Sequence, residues 1–524
     1  MTIEPPTDED KALAEAVSAF EREIGVTKVP FDRKQVGPRQ FLKFRVGRPA
    51  PLYTYALHQV QIALPAENPF RGAMGLEYLP SDTFPGSLEA SALLTLLTRS
   101  TREVSQDTST RGYTVPYIPF QNREDHQLSQ PASHIVKGRR GVGKSTLIRR
   151  AVDLLDATPA LCAVLDMQAY GTLVGEDLFR EVLHDVCQEL ANSTRRAAKG
   201  LDVQELLTVA KEILNRQIDV ARAPVTIKRA VSKLTSATKN HAFVFLDDFH
   251  LIEHDAQPEL LHILHGALKG SNGWLKVAGL SSLLSTYSAG NRHGLQVPGD
   301  AQVIPLDLTL ENPEAAETHL RAILEEFLKA VGYSLSREII PDAAFRRLVW
   351  ATAGVPRDFL QMFARAIEHA QRNKHWSVTL SDVNIAIGEF GQQKMDDLLQ
   401  DARNEAGMLK EFLTKIETLC LEQNKVNAFL VRSEDSQERN LVHALSDLRM
   451  VHLIHQSITP DRAGERYEAY IIDYSIFTGF RRRRNVREMV PEEAQFRAAE
   501  LRALPKISAG FLVTNDEPLQ IQLE

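Results

Sequence analysis

Between His134 and Asp153 the chain reads HIVKGRRGVGKSTLIRRAVD, and within it stands Gly138-Arg139-Arg140-Gly141-Val142-Gly143-Lys144-Ser145. A glycine, four residues, then glycine, lysine and a hydroxyl is a phosphate-cradling order in which each residue type has a task. Glycines let backbone N–H groups approach phosphate oxygens with no Cβ in the way. Lys144 can reach the outer phosphates of a nucleoside triphosphate, and the Ser145 hydroxyl can coordinate Mg2+. Thr146 completes the candidate binding set. The apolar pair Ile135–Val136 ahead of the loop predicts a strand. Leu147, Ile148, Ala151, Leu154 and Leu155 behind it predict a helix whose positive N-terminal end faces the phosphates.

Such a site needs an acid on a neighbouring strand. Phe243–Leu246 read as a buried strand ending in Asp247 and Asp248. Asp247 is expected on the magnesium side, and Asp248 is expected to orient the attacking water. A plain polar strand terminus is the alternative. The run WLKVAGLSS ends in hydroxyls, of which Ser282, or failing it Ser281, can bond a terminal phosphate; capping the next helix is the other role open to it. Gly354-Val355-Pro356-Arg357 opens a later helix, where the Arg357 guanidinium fork suits phosphate oxygens. Arg292, in SAGNRHGLQVPGD, can act across a subunit interface as an arginine finger or stay an ordinary surface arginine.

The elements that must position these groups follow from the pattern. At 524 residues the chain exceeds one ordinary core, and roughly three or four domains are expected. Five short apolar runs, SHIVKG, ALCAVLDM, HAFVFLDDF, WLKVAGLS and AQVIPLDL, alternate with helical stretches, which predicts a parallel α/β sheet. Asn312 and Pro313 then start a helix carrying Leu320, Ile323, Leu324, Phe327 and Leu328 on one face. Helix, strand AFLVR, helix near Ser436–Arg449 and two strands joined by TPDRAG suggest a winged helix. The expected division is 1–110, of unknown role, with a helix near Asp10–Ile24 and strands and loops over Gly47–Gly72; 111–310, the α/β core; 311–400, a helical lid; 401–480, the winged helix; and 481–524, a basic segment and tail.

A net charge of −7 with 25% charged residues excludes a global basic field but not a local patch. Cys162, Cys187 and Cys420 are widely spaced, which predicts reduced thiols and argues against structural zinc. No run of about 18 apolar residues predicts a membrane span, and the acidic first residues do not read as a signal peptide. A cytoplasmic location is expected.

Taken in order, GRRGVGKS, FVFLDD, the strand ending at Ser281–Ser282, GVPR and the lid segment SVTLSDVNIAI resemble the AAA+ ATPases, nearest the origin-recognition initiators and the STAND signalling ATPases. The resemblance spans about Gly112–Asp473. It implies a P-loop core with a lid and winged helix, ATP and Mg2+ as cofactors, ATP hydrolysis, and homo-oligomers. It also implies, as alternatives, action on DNA within a bacterial defence or mobile-element system, or a nucleotide-controlled switch for an effector protein encoded nearby. Initiators usually carry Asp-Glu where this chain has Asp247-Asp248, which implies slower turnover. The presumptive recognition helix, EDSQERNLVHALSDLR, sets Glu434, Asp435, Glu438 and Asp447 against Arg439 and Arg449, the wrong balance for a phosphate-facing element. Basic density lies beyond it, in Arg481, Arg482, Arg483, Arg484 and Arg487, which suit a nucleic-acid backbone, a solvated surface or an acidic partner equally.

Overall fold

The structure is a computed structural model that describes residues 7–511 except 38, 80–82, 102–111, 159, 199–200, 402–405, 435, 460–464, 479–484, 490–495 and 508–509. It opens with α1 (Asp8–Ile24), which Thr7 caps by accepting the Asp10 N–H. Next come β1 (Phe31–Val36), β2 (Arg39–Val46), α2 (Pro51–Ala63), β3 (Met74–Tyr78) and α3 (Leu88–Thr101). β1 runs antiparallel and β3 parallel to β2. The sequence reading expected strands and loops where α2 lies. Pro51 occupies the first helical turn, where its missing N–H is not needed, and Leu52, Tyr53, Ala56 and Val60 share a buried face. Pro51 therefore marks a helix start.

The core contains α4 (Glu124–Leu128), β4 (His134–Lys137), α5 (Lys144–Asp156), β5 (Leu161–Asp166), α6 (Gly175–Ala197), α7 (Gln204–Leu214), α8 (Ala223–Thr238), β6 (Ala242–Asp247), α9 (Gln257–Leu268), β7 (Gly273–Gly279), a small hairpin of β8 (Tyr287–Ser288) and β9 (His293–Gly294), and β10 (Gln302–Pro305). Its sheet is parallel throughout, in the order β10-β4-β7-β6-β5. Each predicted apolar run supplies one strand. Alternate residues feed two separate apolar layers: Ile135, Val244 and Leu246 pack toward α6, α8 and α9, while Val136, Phe243 and Phe245 pack toward α5. Burial on both faces explains why these strands read as unbroken apolar runs. One expectation needs correcting. β6, with its acids, does not neighbour β4; β7 lies between them.

The lid is α10 (Pro313–Ala330), α11 (Asp342–Thr352), α12 (Pro356–Arg372) and α13 (Leu380–Asp401). Asn312 caps α10 by accepting the Ala315 N–H. The C-terminal unit has α14 (Ala406–Glu417), β11 (Ala428–Arg432), α15 (Gln437–Asp447), β12 (Val451–Ile458) and β13 (Tyr467–Ile472), the element order of a winged helix. It continues with α16 (Tyr474–Phe477), α17 (Ala498–Arg502) and β14 (Lys506–Ile507). β14 pairs parallel with β11, so part of the expected tail returns to the sheet. A single apolar cluster joins the N-terminal layer, the lid and the C-terminal unit.

Candidate functional site

β4 ends at Lys137, and the chain turns through the glycine loop into α5. Gly141 and Gly143 take φ of +81° and +104°, the left-handed region where a side chain is strained. Gly141 is further constrained by the lid: a Cβ there would stand 3.0 Å from Arg357 Cβ and 3.1 Å from Val355 Cγ1. The Arg357 N–H donates to the Gly141 carbonyl at 3.3 Å. The first turn of α12 is thus seated directly on the loop. Lys144 is buried, and its Nζ donates to the carbonyls of Gly138 and Arg139 at 2.9 and 3.0 Å. Burial lowers its pKa, while Asp248, Asp307, Asp247 and Asp447 pull the other way. Ser145 and Thr146 are exposed at the mouth.

Parallel pairing brings the C-terminal ends of β4, β7 and β6 to one edge. There the Asp247 carboxylate accepts from the Ser145 hydroxyl and from the Asp248 N–H. Burial and the adjacent Asp248 push its pKa up to about 6. Asp248 has φ of +50°, a sparsely populated conformation for a branched polar residue that often marks a working site. A carboxylate raised by burial and a like charge, bonded to a hydroxyl, is a donor set that suits a hard divalent cation. Among the described residues no cluster of three or more His, Cys, Asp or Glu side chains forms a separate metal site. Burial, and then the nearby Arg449 and Arg140, lowers the pKa of Arg357, with Asp358 and Asp248 opposing. Lys144 and these three guanidinium groups give the cleft the positive lining that a triphosphate needs.

Two acids that the sequence did not assign to this site also enter the cleft. Asp307, just past β10, accepts both the Arg139 N–H and its Nε at 3.0 Å. Asp447, the last residue of α15, reaches in from the C-terminal unit: its carbonyl accepts the Arg140 N–H at 3.2 Å, and its Oδ2 accepts the Ser282 N–H at 2.6 Å. A carboxylate at a helix C-terminus opposes the helix dipole, and that anomaly was visible in the sequence.

Arg139, expected to bind nucleotide, is buried as a clamp. Its NH2 donates to the Leu308 and Ala353 carbonyls at 2.7 and 3.0 Å, and NH1 meets His452 Nδ1 at 3.3 Å. Core, lid and C-terminal unit converge on one side chain. From His452 a buried chain of charge continues through Asp473 (2.7 Å) and Lys394 (2.5 Å from Asp473) to Asp358 (3.3 Å), which Arg449 also bonds.

The structure therefore brings together Gly138–Thr146, Asp247, Asp248, Ser282 and Arg357. It does not bring Arg292 to them: that residue is exposed at the tip of the β8–β9 hairpin, whose His293 stacks on His262 of α9 at 4.7 Å. Arg481–Arg484 lie outside the described residues, and Arg487 pairs with Glu500 at 3.3 Å. The presumptive recognition helix needs correction. α15 buries Leu441, Val442, Ala444, Leu445 and Asp447, and Arg439 is spent on Glu468 at 2.7 Å. Its apolar face packs inward and its end enters the cleft. Cys162, Cys187 and Cys420 are buried and unpaired, and no described helix is long and apolar enough to cross a membrane.

No protein-family model matches the chain, and no curated protein is similar in sequence. Among solved structures, the chain is similar to the Aeropyrum pernix ORC1 protein in complex with DNA, at 17% identity over 68% of this chain and 91% of that one, with a TM-score of 0.35. Drosophila ORC bound to DNA is similar at 13% identity over 74% and 89%, with a TM-score of 0.35. The Thermotoga maritima RuvB branch migration motor follows at 14% over 54% and 77%, with a TM-score of 0.29.

Proposed function

We propose that this chain is a magnesium-dependent P-loop ATPase whose nucleotide state sets how its lid and C-terminal unit sit on the core. The observation that carries the reading is the convergence of the glycine loop, the Ser145–Asp247 bond and the lid's Arg357 at one edge of one parallel sheet. In this reading the triphosphate of ATP lies along Gly138–Thr146. Lys144 turns from the loop carbonyls to the phosphates, and Arg357 meets the terminal one. Ser145 and Asp247 would hold Mg2+, which when bound neutralises phosphate charge. Asp248 orients the attacking water, and its short side chain is consistent with slow turnover.

The switch reading is favoured over direct action on DNA by one observation: α15 is packed inward, with Asp447 inside the cleft. Action on DNA draws its support from the arginine run Arg481–Arg484 with Arg487, which has the charge to grip a phosphate backbone. Two of the similar structures are described with DNA, and those descriptions are of those proteins. An effector protein encoded nearby, a homo-oligomer using Arg292, and a place in bacterial defence or mobile-element systems come from the resemblance alone. The decisive test is titration of a fluorescent ATP analogue with Mg2+ into the full chain. Lys144→Ala should abolish binding; undiminished binding and phosphate release in that variant would sink the site assignment. Salt-dependent DNA binding lost on changing Arg481–Arg484 to Ala would then separate DNA action from ATP-dependent association with a protein.

A further inference from the structure

We infer that the turn Asp447-Leu448-Arg449 is an internal occupant of the triphosphate site, so that ATP and this turn compete and nucleotide binding withdraws the end of α15 from the core. The inference rests on the nucleotide reading above and adds a residue and a direction of coupling to it.

Three observations meet at this turn. First, Asp447 uses the groups a phosphate would need. Its carbonyl takes the Arg140 N–H from the loop, and its Oδ2 takes the Ser282 N–H where β7 ends. The same carboxylate lies in the field of Lys144 and of Asp307. Second, the placement is costly for the C-terminal unit taken alone. A carboxylate ends a helix against its dipole, and Arg449 two residues later holds φ of +66°, in the left-handed region that a long side chain avoids. Both costs are offset only while the turn is docked, Asp447 among the cleft's donors and cations and Arg449 on Asp358 of the lid. Third, Asp358 follows Arg357 in α12, so the lid residue expected to meet the terminal phosphate sits beside the residue that holds the turn.

A triphosphate would add several negative charges to a cleft where Asp247, Asp248 and Asp447 already face Lys144, Arg140 and Arg357, and where Asp307 is paired with Arg139. Magnesium offsets charge near Asp247 but not at Ser282. Like charges at contact distance in a buried site are strongly unfavourable, and of the four Asp447 alone is carried on the C-terminal unit and not on the core.

The test measures binding and geometry on the full chain. Asp447→Asn keeps the side chain's size and its acceptor for Ser282 while removing the charge. It should bind the fluorescent ATP analogue with Mg2+ about tenfold more tightly than the natural chain, within the usual range for coupled sites. For geometry, Ser236→Cys on α8 and Asn440→Cys on α15 carry spin labels, since the three native cysteines are buried. Saturating ATP and Mg2+ should lengthen the label distance in the natural chain, and Asp447→Asn should show part of that lengthening without nucleotide. Equal or weaker binding by Asp447→Asn together with a distance unmoved by ATP would overturn the inference while leaving the ATP site standing. A chain that binds no ATP, with or without the Asn substitution, would overturn both.

Discussion

Lys394→Met tests whether the buried charge chain fastens the C-terminal unit to the lid. Lys394 has 1% of its side chain exposed and stands 2.5 Å from Asp473 and 3.3 Å from Asp358, both wholly buried. Burial by itself would raise Asp473, but Lys394 and His452 outweigh it and hold its pKa far below the usual range. Methionine fills nearly the same volume, so the loss is chiefly one of charge. Removing one partner of a buried pair costs about 3–5 kcal/mol because the other is left uncompensated. For a cooperative unit of about 150–250 residues each kcal/mol moves Tm by about 2–4 °C, which gives a drop between about 6 and 20 °C.

The pH dependence sharpens the test. Burial, with Lys394 and Arg139 nearby, lowers His452 from 6.5 to about 4. In the natural chain the folded form therefore resists protonation of His452, and its stability falls as pH drops below about 6.5. In Lys394→Met that histidine faces Asp473 without the lysine, its folded pKa rises, and the acid penalty shrinks. The gap between the two proteins should be widest near about pH 8 and narrow toward about pH 5.5. Scanning calorimetry at both values reads it, and Lys394→Met with Asp473→Asn should recover part of the loss. A gap below about 1 kcal/mol, or one that widens in acid, would refute the reasoning.

Asp248→Asn should retain ATP and lose turnover by about 10²–10⁴-fold, the usual worth of a positioned proton acceptor; normal steady-state phosphate release would remove its role. Gly141→Ala should cost about 1–2 kcal/mol in strain at its positive φ and weaken ATP binding by pressing on Arg357, whereas unchanged affinity would show that the lid gives way freely. Burial would raise Glu468, yet bonds from His443 and Arg439 bring it down to about 2. Its contribution is therefore present above the unfolded value of 4.5 and is lost as pH falls toward 2. Glu468→Gln should lower stability by about 1–3 kcal/mol near neutrality, because the buried carboxylate accepts from both Arg439 and His443, and the difference should vanish in acid titrations followed by circular dichroism.

Much of the candidate site was legible from the sequence, because its parts are written as local patterns. A glycine loop between a strand and a helix, and acids ending a wholly apolar run, are short-range statements, and the parallel sheet brings both strand ends to one edge. The order of the strands was not legible, since which run pairs with which depends on contacts across the whole core. β7 therefore came between β4 and β6. α2 was missed because prolines mixed with alternating apolar residues suggested strands and loops, whereas Pro51 starts a helix. The winged-helix elements were recognised, but not the direction in which α15 faces. That depends on packing against α14, β11 and β12, and on Asp447 finding donors in a distant segment. Arg139 shows the same limit: its position in the loop suggested a phosphate contact, while its partners come from β10's end, the lid and β12.

One feature of the N-terminal layer reaches beyond its own domain. α3 packs on α12 of the lid. Tyr333, beyond α10, is held between Arg48 at 4.4 Å and Phe84 at 5.1 Å, and a Cβ on Gly332 would stand 2.6 Å from the Pro49 carbonyl. With so little slack at that seam, a tilt of the lid is not absorbed there. A tilt of the lid would therefore carry the three-stranded sheet with it, and would be felt at its rim, where Lys34 and Lys43 stand. A partner reading the occupancy of the cleft would then need no access to the cleft itself.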